Sequence, residues 1–251
     1  MGERLSDGWT GARGRSRNQE KVKEIIKWLA MFDYSDRNTL ARMFGAVARG
    51  QGAFFKSLED SRLVITTKAP GLGITVYGLS ESGFNLAKLY LPHKSLTWRR
   101  TPSWNLLVHT LTVQKVLLDR RDAVESFSPE RDLDLKAARA NHLPDALLHY
   151  AGGRRVALEV ELSRKSTPRL YNILLSHLKN IQREIYHEVL YVFPNEELMN
   201  LYRQKYDEPV WPIYTKNERG RLELKGLDGF SALNVHDSGY FKFCVEEVIR
   251  L

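Results

Sequence analysis

Cysteine is nearly absent from this sequence, and so are long apolar runs. With Cys244 as its single cysteine, the chain cannot build an internal disulfide framework, as is typical of proteins of the reducing cytosol. No apolar stretch reaches the roughly 20 residues that a membrane-spanning helix needs, so we expect no membrane insertion. Residues 1–21 also lack the apolar core of a secretory signal, and we therefore expect a cytoplasmic protein.

Internal repeats and low-complexity blocks are absent too, whereas apolar residues suffice for folded cores. Hydrophobic residues make up 43% of the 251 residues and aromatic residues 10%, which argues against a disordered chain. A chain of this length forms one large domain or two modest ones. The formal net charge is +8. A basic balance favours a polyanionic partner such as nucleic acid, although a merely soluble basic protein has the same charge.

The first third of the sequence predicts a DNA-binding domain behind a basic arm. Residues 1–17 are rich in Gly, Arg and Ser without periodicity, and we interpret them as a mobile arm. Three stretches with helical spacing follow, then a hairpin around Ala-Pro-Gly-Leu-Gly at residues 69–73, then a helix capped by Ser80. Three helices, a hairpin and a closing helix over residues 18–97 predict a winged helix-turn-helix domain.

Basic residues around the third helix and the hairpin indicate how this domain would bind DNA. Arg49, Gln51, Lys56 and Arg62 would line a major groove, and Lys68 would lie on the wing. A winged helix that makes only protein contacts is the alternative. We favour DNA binding because the chain is basic.

A basic, proline-containing linker over residues 91–103 leads to a second domain, predicted over residues 98–251. Its periodicities give the order α-β-β-β-α-β-α-β, which predicts a mixed α/β fold with helices packed on a mixed sheet. The strongest helix has Thr167 as its predicted cap and Pro168 at its first position.

The stretch LPDALLHYAGGRRVALEVELSRK, residues 143–165, predicts a hairpin that turns at the Gly-Gly pair 152–153. Side chains alternate along a strand, so Glu159 and Glu161 share one face, and Asp145 comes almost opposite them. Carboxylates this close need a compensating cation, and oxygen ligands suit Mg²⁺ or Mn²⁺ rather than zinc. A solvent-facing strand with ordinary charges is the alternative, but the apolar residues of the hairpin argue against it.

Basic side chains and one tyrosine follow the acidic arm. Lys165 comes four residues after Glu161 and is expected to reach the same acidic patch, and either of the two could activate an attacking water. Arg164 and Arg169 could neutralise phosphate charge. Tyr171 is the tyrosine best placed to approach the carboxylates and could face the DNA. We interpret it as a packing or DNA-contact residue rather than a nucleophile, because a metal-activated water needs no tyrosine.

At these residues the chain resembles the PD-(D/E)xK nuclease superfamily, with Pro-Asp at 144–145 and Glu-Val-Glu at 159–161 in an αβββαβ order. The resemblance implies that Asp145, Glu159 and Glu161 hold the metal ion. The family usually has Lys where this chain has Glu161. Whether Glu161 or Lys165 activates the water therefore stays open.

Taken whole, the chain resembles the MobC-type conjugative relaxases and the related plasmid replication-relaxation proteins. The features shared are the winged helix, a helix with His109, Pro-Glu-Arg-Asp-Leu with Glu130, and the acidic hairpin. The resemblance implies a relaxase that nicks one DNA strand at a plasmid transfer origin, helped by accessory mobilisation and coupling proteins. It also implies roles near the metal for Glu130 and His109, although packing alone also explains a histidine on an amphipathic helix.

The common relaxase mechanism and one alternative function have to be weighed against this prediction. The common relaxase class uses a histidine cluster and a tyrosine nucleophile, whereas this sequence has seven scattered histidines and no His-x-His pair. The alternative function is a winged-helix regulator of plasmid replication whose nuclease-like half binds DNA or partners without cutting.

Overall fold

The computed structural model describes residues 7–92, 96–101, 103–133, 142–226 and 228–247. The chain divides into two compact units, residues 1–114 and residues 115–250. Both units contain helices and strands, so the predicted mixed α/β class is confirmed. No helix among the described residues combines the length and the apolar content that crossing a membrane requires.

The first unit combines four helices with a small antiparallel sheet. Its elements are α1 (Asp7–Phe32), β1 (Tyr34–Asp36), α2 (Arg37–Arg42), α3 (Gly52–Asp60), β2 (Val64–Lys68), β3 (Thr75–Leu79) and α4 (Glu81–Tyr90). The strands lie in the order β1-β3-β2. The predicted hairpin is confirmed, and Ser80 caps α4 as predicted, because its side chain accepts a hydrogen bond from the Gly83 amide.

The N-terminal segment differs from its prediction. Helix α1 begins at Asp7, so residues 7–17, which we predicted to form an irregular arm, are helical. Residues 1–6 lie outside the described part of the chain, as do residues 93–95 and 102 of the predicted linker.

The division between the units also differs from the predicted boundary near residue 98. It falls within α5 (Leu107–Arg120), after Gln114. The buried Gln114 amide explains why the start of this helix belongs to the first unit. Its Oε1 accepts hydrogen bonds from Trp28 Nε1 at 2.9 Å and Ser35 Oγ at 2.6 Å. Its Nε2 donates to the Tyr34 carbonyl at 2.8 Å.

In the second unit, the elements after α5 follow the predicted order and continue beyond it. They are β4 (Ser126–Pro129), β5 (Ala146–His149), β6 (Arg155–Val160), α6 (Thr167–Gln182), β7 (Glu188–Phe193), α7 (Glu196–Tyr206), β8 (Val210–Trp211), β9 (Tyr214–Lys216), β10 (Leu222–Leu224), β11 (Phe230–Ser231), α8 (Leu233–His236) and β12 (Phe241–Val245). Ser166, rather than Thr167, is the residue that precedes α6 as its N-cap, and Pro168 lies in the first turn as predicted.

A five-stranded mixed sheet in the order β12-β7-β6-β5-β4 forms the centre of the second unit. Strands β4, β5 and β6 are antiparallel neighbours, whereas β7 pairs in parallel with both β6 and β12. Helix α6 contributes an apolar face to the core, with Leu170, Leu174 and Leu178 buried. The acidic hairpin β5-β6 therefore lies in the middle of the sheet, where burial restricts what its carboxylates can contact.

Candidate metal centre

The register of the β5-β6 hairpin brings Asp145 and Glu159 together. Ala146 pairs with Leu158, so the residues just beyond this pair, Asp145 and Glu159, face each other. The Asp145 amide donates to the Leu158 carbonyl at 3.0 Å, and Asp145 Oδ2 accepts a hydrogen bond from the Val160 amide at 2.7 Å. The predicted juxtaposition of these carboxylates is therefore confirmed, and the backbone fixes the Asp145 side chain.

Glu159 is buried and contacts two histidines. Only 2% of its surface is exposed. Its Oε1 lies 2.9 Å from His142 Nε2 and 3.2 Å from His177 Nε2. One ligand atom from each of the three residues lies within 4.8 Å of the other two. His142, Glu159 and His177 therefore form a set that could hold a metal ion, and neither histidine was among the predicted site residues.

His177 reaches this position from the buried face of α6. It is fully buried. Its Nδ1 lies 2.6 Å from Tyr186 Oη, which also accepts a hydrogen bond from Asn180 Nδ2 at 2.9 Å. Its Nε2 is close to Glu159 but has no hydrogen-bond partner of proper geometry among the described residues. One nitrogen of the ring is thus held in place, while the other points at a carboxylate without bonding it.

The surroundings of Glu159, His142 and His177 shift the pKa of each side chain differently. Burial raises the pKa of Glu159, but the charge and the hydrogen bond of His142, together with the nearby His177 ring, outweigh burial, and the pKa falls below its usual range. Burial lowers the pKa of His142, but the neighbouring carboxylate more than offsets it and raises the pKa. For His177 burial prevails and lowers the pKa. These shifts favour the charged forms of Glu159 and His142 and the neutral form of His177, and neutral imidazole is the form that binds metals.

Glu161 lies one residue beyond β6 and belongs to a second polar group. It is 3% exposed, forms an ion pair with the Lys165 ammonium and accepts a hydrogen bond from Tyr202 Oη at 3.1 Å. Burial raises the pKa of Glu161, the charges of Glu159 and Asp145 add to the rise, and Lys165 opposes it. The predicted approach of Lys165 to the acidic patch is confirmed. Glu161 itself contacts Lys165 rather than the histidines.

Glu130 lies on the other side of Asp145. Strand β4 pairs with β5, and the Glu130 amide donates to the Asp145 carbonyl at 2.9 Å. The Glu130 side chain is exposed at the end of this strand pair. His109 lies in the first unit, half-buried on α5. The roles near a metal that the resemblance implies for Glu130 and His109 stay predictions.

Arg164, in the loop before α6, and Arg169, in the first turn of α6, are both exposed, as phosphate contacts would have to be. Arg164 and Lys165 also line a small cleft together with Gln204 and Lys205. This cleft is bordered by the side chain of Tyr202, the residue that binds Glu161. A basic cleft therefore adjoins the second polar group.

The predicted DNA contacts of the first unit are exposed. Arg49, Lys56, Arg62 and Lys68 all have exposed side chains. Lys56 lies on α3, 3.7 Å from the Asp60 carboxylate, and Lys68 ends strand β2 of the hairpin. All four are accessible to a partner, and their role in DNA binding stays a prediction.

Tyr171 does not face solvent, so the expectation that it could face DNA is wrong. It is fully buried, its ring packs 6.5 Å from that of Trp211, and its hydroxyl donates to the Glu208 carboxylate. Burial raises the pKa of the Tyr171 hydroxyl, and the bond to Glu208 raises it further. The apolar face of α6 is wider than the leucine stripe from which the prediction was made, so Tyr171 belongs to the core.

We predict that Tyr171→Phe loses stability and that, if the protein nicks DNA, the variant still does so. The phenyl ring preserves the packing, and loss of the bond to Glu208 should lower the free energy of unfolding by about 1–2 kcal/mol. Urea unfolding and a nicking assay on the same preparation measure both effects. Tyr240→Phe, at an exposed position, is the control. Loss of all nicking, with a denaturation-resistant protein–DNA adduct in the wild type, would instead identify Tyr171 as a nucleophile.

Comparisons with known proteins give little further guidance. No protein-family model matches the chain, and no curated protein matches it significantly. Among solved structures, a Lactococcus lactis ZitR variant, the C30AH42A mutant in apo form, is similar over 37% of this chain and 74% of its own. The identity is 18% and the TM-score is 0.27, and a likeness at this level supports no conclusion about this chain.

Proposed function

We propose that this protein is a metal-dependent DNA nickase of plasmid mobilisation, in which the first unit binds the transfer origin and the second cuts one strand. The observation that carries the proposal is the pairing of Asp145 with Glu159 at the end of a central hairpin, with Lys165 held beside Glu161. Mg²⁺ or Mn²⁺ is the proposed ion. Accessory mobilisation and coupling proteins are the expected partners, and the cytoplasm is the expected location.

The arrangement of elements supports a nuclease-like second unit. A helix, three antiparallel strands, a helix and a parallel strand follow one another; Asp145 lies immediately before the second strand and Glu159 lies on the third. This is the order expected of a PD-(D/E)xK domain. In the first unit, α2 and α3 precede a two-stranded hairpin, which supports a winged helix-turn-helix.

The residues present fit a divalent cation at the acidic hairpin. The Asp145 and Glu159 carboxylates, which face each other across the hairpin, would supply the oxygen ligands that Mg²⁺ and Mn²⁺ prefer. When bound, such an ion would polarise the scissile phosphate and lower the pKa of a bound water. Arg164 and Arg169 would bind the phosphates on either side of the cut.

In the proposed site, Lys165 takes the place of the lysine that the nuclease superfamily usually has at the position of Glu161. The family lysine would stand at position 161, where this chain has glutamate. Here Lys165 reaches back to Glu161, so its ammonium lies next to the position that the family lysine would occupy. In the proposed mechanism Lys165 orients the attacking water and stabilises charge on the phosphate, while Glu161 keeps the lysine in place.

The cleavage assay uses the full chain and a supercoiled plasmid that carries a transfer origin. We expect conversion to the open-circular form with Mg²⁺ or Mn²⁺, none with EDTA, and ends free of protein after denaturation. A plasmid without an origin is the control for site selection. If neither ion produces open circles at any protein concentration that binds the origin, the nickase proposal fails.

A regulator that binds DNA without cutting it is the second candidate. The ion pairs that the carboxylates already make within the protein favour it. Glu159 is in an ion pair with His142, and Glu161 is in an ion pair with Lys165, so the carboxylates are neutralised within the protein. Origin binding without cleavage, in the presence of either ion, is the result that this candidate predicts.

We predict that DNA binding by the full chain depends steeply on salt and on the basic residues of the first unit. Lys56→Ala and Lys68→Ala should each weaken binding and lower the slope of log affinity against log salt by about 1, because each lost phosphate contact releases about one counterion fewer. Fluorescence anisotropy over a salt series measures this slope. Lys225→Ala, which removes an exposed lysine of the second unit, is the charge-matched control. Equal effects of all three changes would argue against the first unit as the DNA-binding part.

A further inference from the structure

We propose that His142, Glu159 and His177 form a nitrogen-containing site for a borderline first-row transition-metal cation, such as Zn²⁺ or Co²⁺, in preference to Mg²⁺. The inference goes beyond the proposed function, because such a site would bind its ion whether or not the protein cuts DNA. It also changes the donor set expected for Glu159, from carboxylates alone to one carboxylate and two imidazoles.

The spacing of the three side chains fits a coordination sphere. Metal–ligand bonds of about 2.0–2.1 Å place neighbouring ligand atoms roughly 2.9–3.4 Å apart in octahedral or tetrahedral geometry. Glu159 Oε1 lies 2.9 Å from His142 Nε2 and 3.2 Å from His177 Nε2, within that interval. The three ligand atoms all lie within 4.8 Å of one another, so an ion among them would replace the hydrogen bond between His142 and Glu159 and draw the two imidazoles towards the carboxylate.

His177 supplies the observation that an ion pair alone does not explain. A fully buried imidazole nitrogen is costly to leave without a hydrogen bond, yet Nε2 has no partner of proper geometry among the described residues. Nδ1 is held by Tyr186 Oη. Metal-binding histidines are oriented in this way, with a hydrogen bond at one ring nitrogen and the ion at the other.

Tyr191 adds a second unsatisfied group next to the same carboxylate. It pairs with Glu159 across β6 and β7, so its side chain lies on the same face of the sheet. Its ring centre is 5.9 Å from that of His177, and its buried hydroxyl has no hydrogen-bond partner in the described part of the chain. A water or hydroxide bound to an ion at the histidines could satisfy this hydroxyl.

The chemistry of the donors selects the class of ion. Mg²⁺ prefers oxygen ligands and retains its water molecules, whereas imidazole suits zinc and neighbouring transition metals. The side chain of His142 is 23% exposed, compared with 0% for His177, so the ion has an open side from which to enter. The Lys165 ammonium is engaged by Glu161, which limits its repulsion of the incoming cation.

The test measures binding, not cleavage. Metal-free full-length protein is titrated with Co²⁺, whose visible absorption reports the coordination of the ion. We expect saturation at one equivalent, displacement by Zn²⁺, and no displacement by a large excess of Mg²⁺. Displacement by equimolar Mg²⁺, or an absorption typical of Co²⁺ in water alone at saturation, would overturn the proposal.

Variants then assign the ligands. His142→Ala should weaken Co²⁺ binding roughly tenfold or more, since removal even of an outer partner of a metal ligand costs about that much. His142 is chosen because it is partly exposed, and His142→Gln serves as a second variant that retains a side-chain amide but no imidazole. His187→Ala removes an exposed histidine and should leave binding unchanged. Unchanged Co²⁺ affinity in folded His142→Gln and Glu159→Gln proteins would show that the ion binds elsewhere.

The two proposals fail separately. Co²⁺ bound at the histidines without plasmid cleavage would support the site and favour the non-cutting regulator. Cleavage with Mg²⁺ in a protein that does not bind Co²⁺ would keep the nickase and remove the histidine site.

Discussion

Glu159→Gln should lower plasmid nicking by about 10²–10³-fold or more while leaving origin binding nearly intact. The change keeps the volume of the side chain and a hydrogen-bonding oxygen, so packing around the buried position survives. It removes the negative charge that both the proposed ion and the His142 ion pair require. Asp145→Ala should have the same effect on nicking, because Asp145 faces Glu159 across the hairpin.

A matched control separates this effect from general damage to the sheet. Glu188 is also a glutamate of the central sheet, on β7, and forms ion pairs with Arg154 and Lys242. Glu188→Gln should therefore reduce stability slightly and leave nicking at the wild-type rate. Quantified open-circular plasmid over time is the measurement. Wild-type nicking by the Asp145→Ala and Glu159→Gln proteins would end the assignment of the hairpin carboxylates to cleavage.

The sequence was informative about this site because the relevant signals are local. The Gly-Gly turn and the alternation of the strands predicted that Asp145 lies almost opposite Glu159 and Glu161, and the register places it across from Glu159. The approach of Lys165 to Glu161 followed from a separation of four residues, and it is also observed. In both cases the partners lie within one hairpin or one turn of chain, where local geometry limits the alternatives.

The histidines could not be predicted in this way. His142 precedes the Pro-Asp pair in an irregular stretch, and His177 lies on an amphipathic helix, where a histidine has the same pattern as a packed core residue. What joins them is the pairing of β6 with β7 and the packing of α6 against the sheet, neither of which is encoded in a short motif. Because these long-range contacts were not visible in the sequence, the metal ligands that we predicted were all carboxylates.

The fold shows the same division between local and long-range information. Element types over most of the second unit were predicted from periodicity, and their order is confirmed. Strand β12 was not predicted. Its five residues, Phe-Lys-Phe-Cys-Val, join the sheet by parallel pairing with β7, which depends on chain far away in the sequence. The division within α5 likewise depends on the long-range hydrogen bonds of Gln114.

Lys165→Met should destabilise the protein by about 3–5 kcal/mol, because it leaves the buried Glu161 carboxylate without its cation. Glu161 is almost fully buried, and burial together with nearby negative charge already raises its pKa. Tyr202 Oη would be the remaining polar partner of Glu161 described here. Urea unfolding followed by circular dichroism at neutral pH gives the loss of unfolding free energy.

The double variant Lys165→Met/Glu161→Gln separates a lost ion pair from lost packing. If the cost of Lys165→Met comes from an uncompensated buried charge, neutralising Glu161 should restore most of the stability, and the double variant should be more stable than Lys165→Met alone. The control is Lys205→Met, which removes a lysine from a half-exposed pair with Glu208 and should cost no more than about 1 kcal/mol. A Lys165→Met protein as stable as Lys205→Met would mean that the Glu161 carboxylate is not charged in the native state.

Nicking by Lys165→Met and by Glu161→Gln, measured at temperatures where both are folded, would then decide which of the two side chains serves the attacking water. Loss of nicking in Lys165→Met with only a partial loss in Glu161→Gln is the expected result, because the ammonium is the group proposed to contact the water and the phosphate, whereas the carboxylate only positions it.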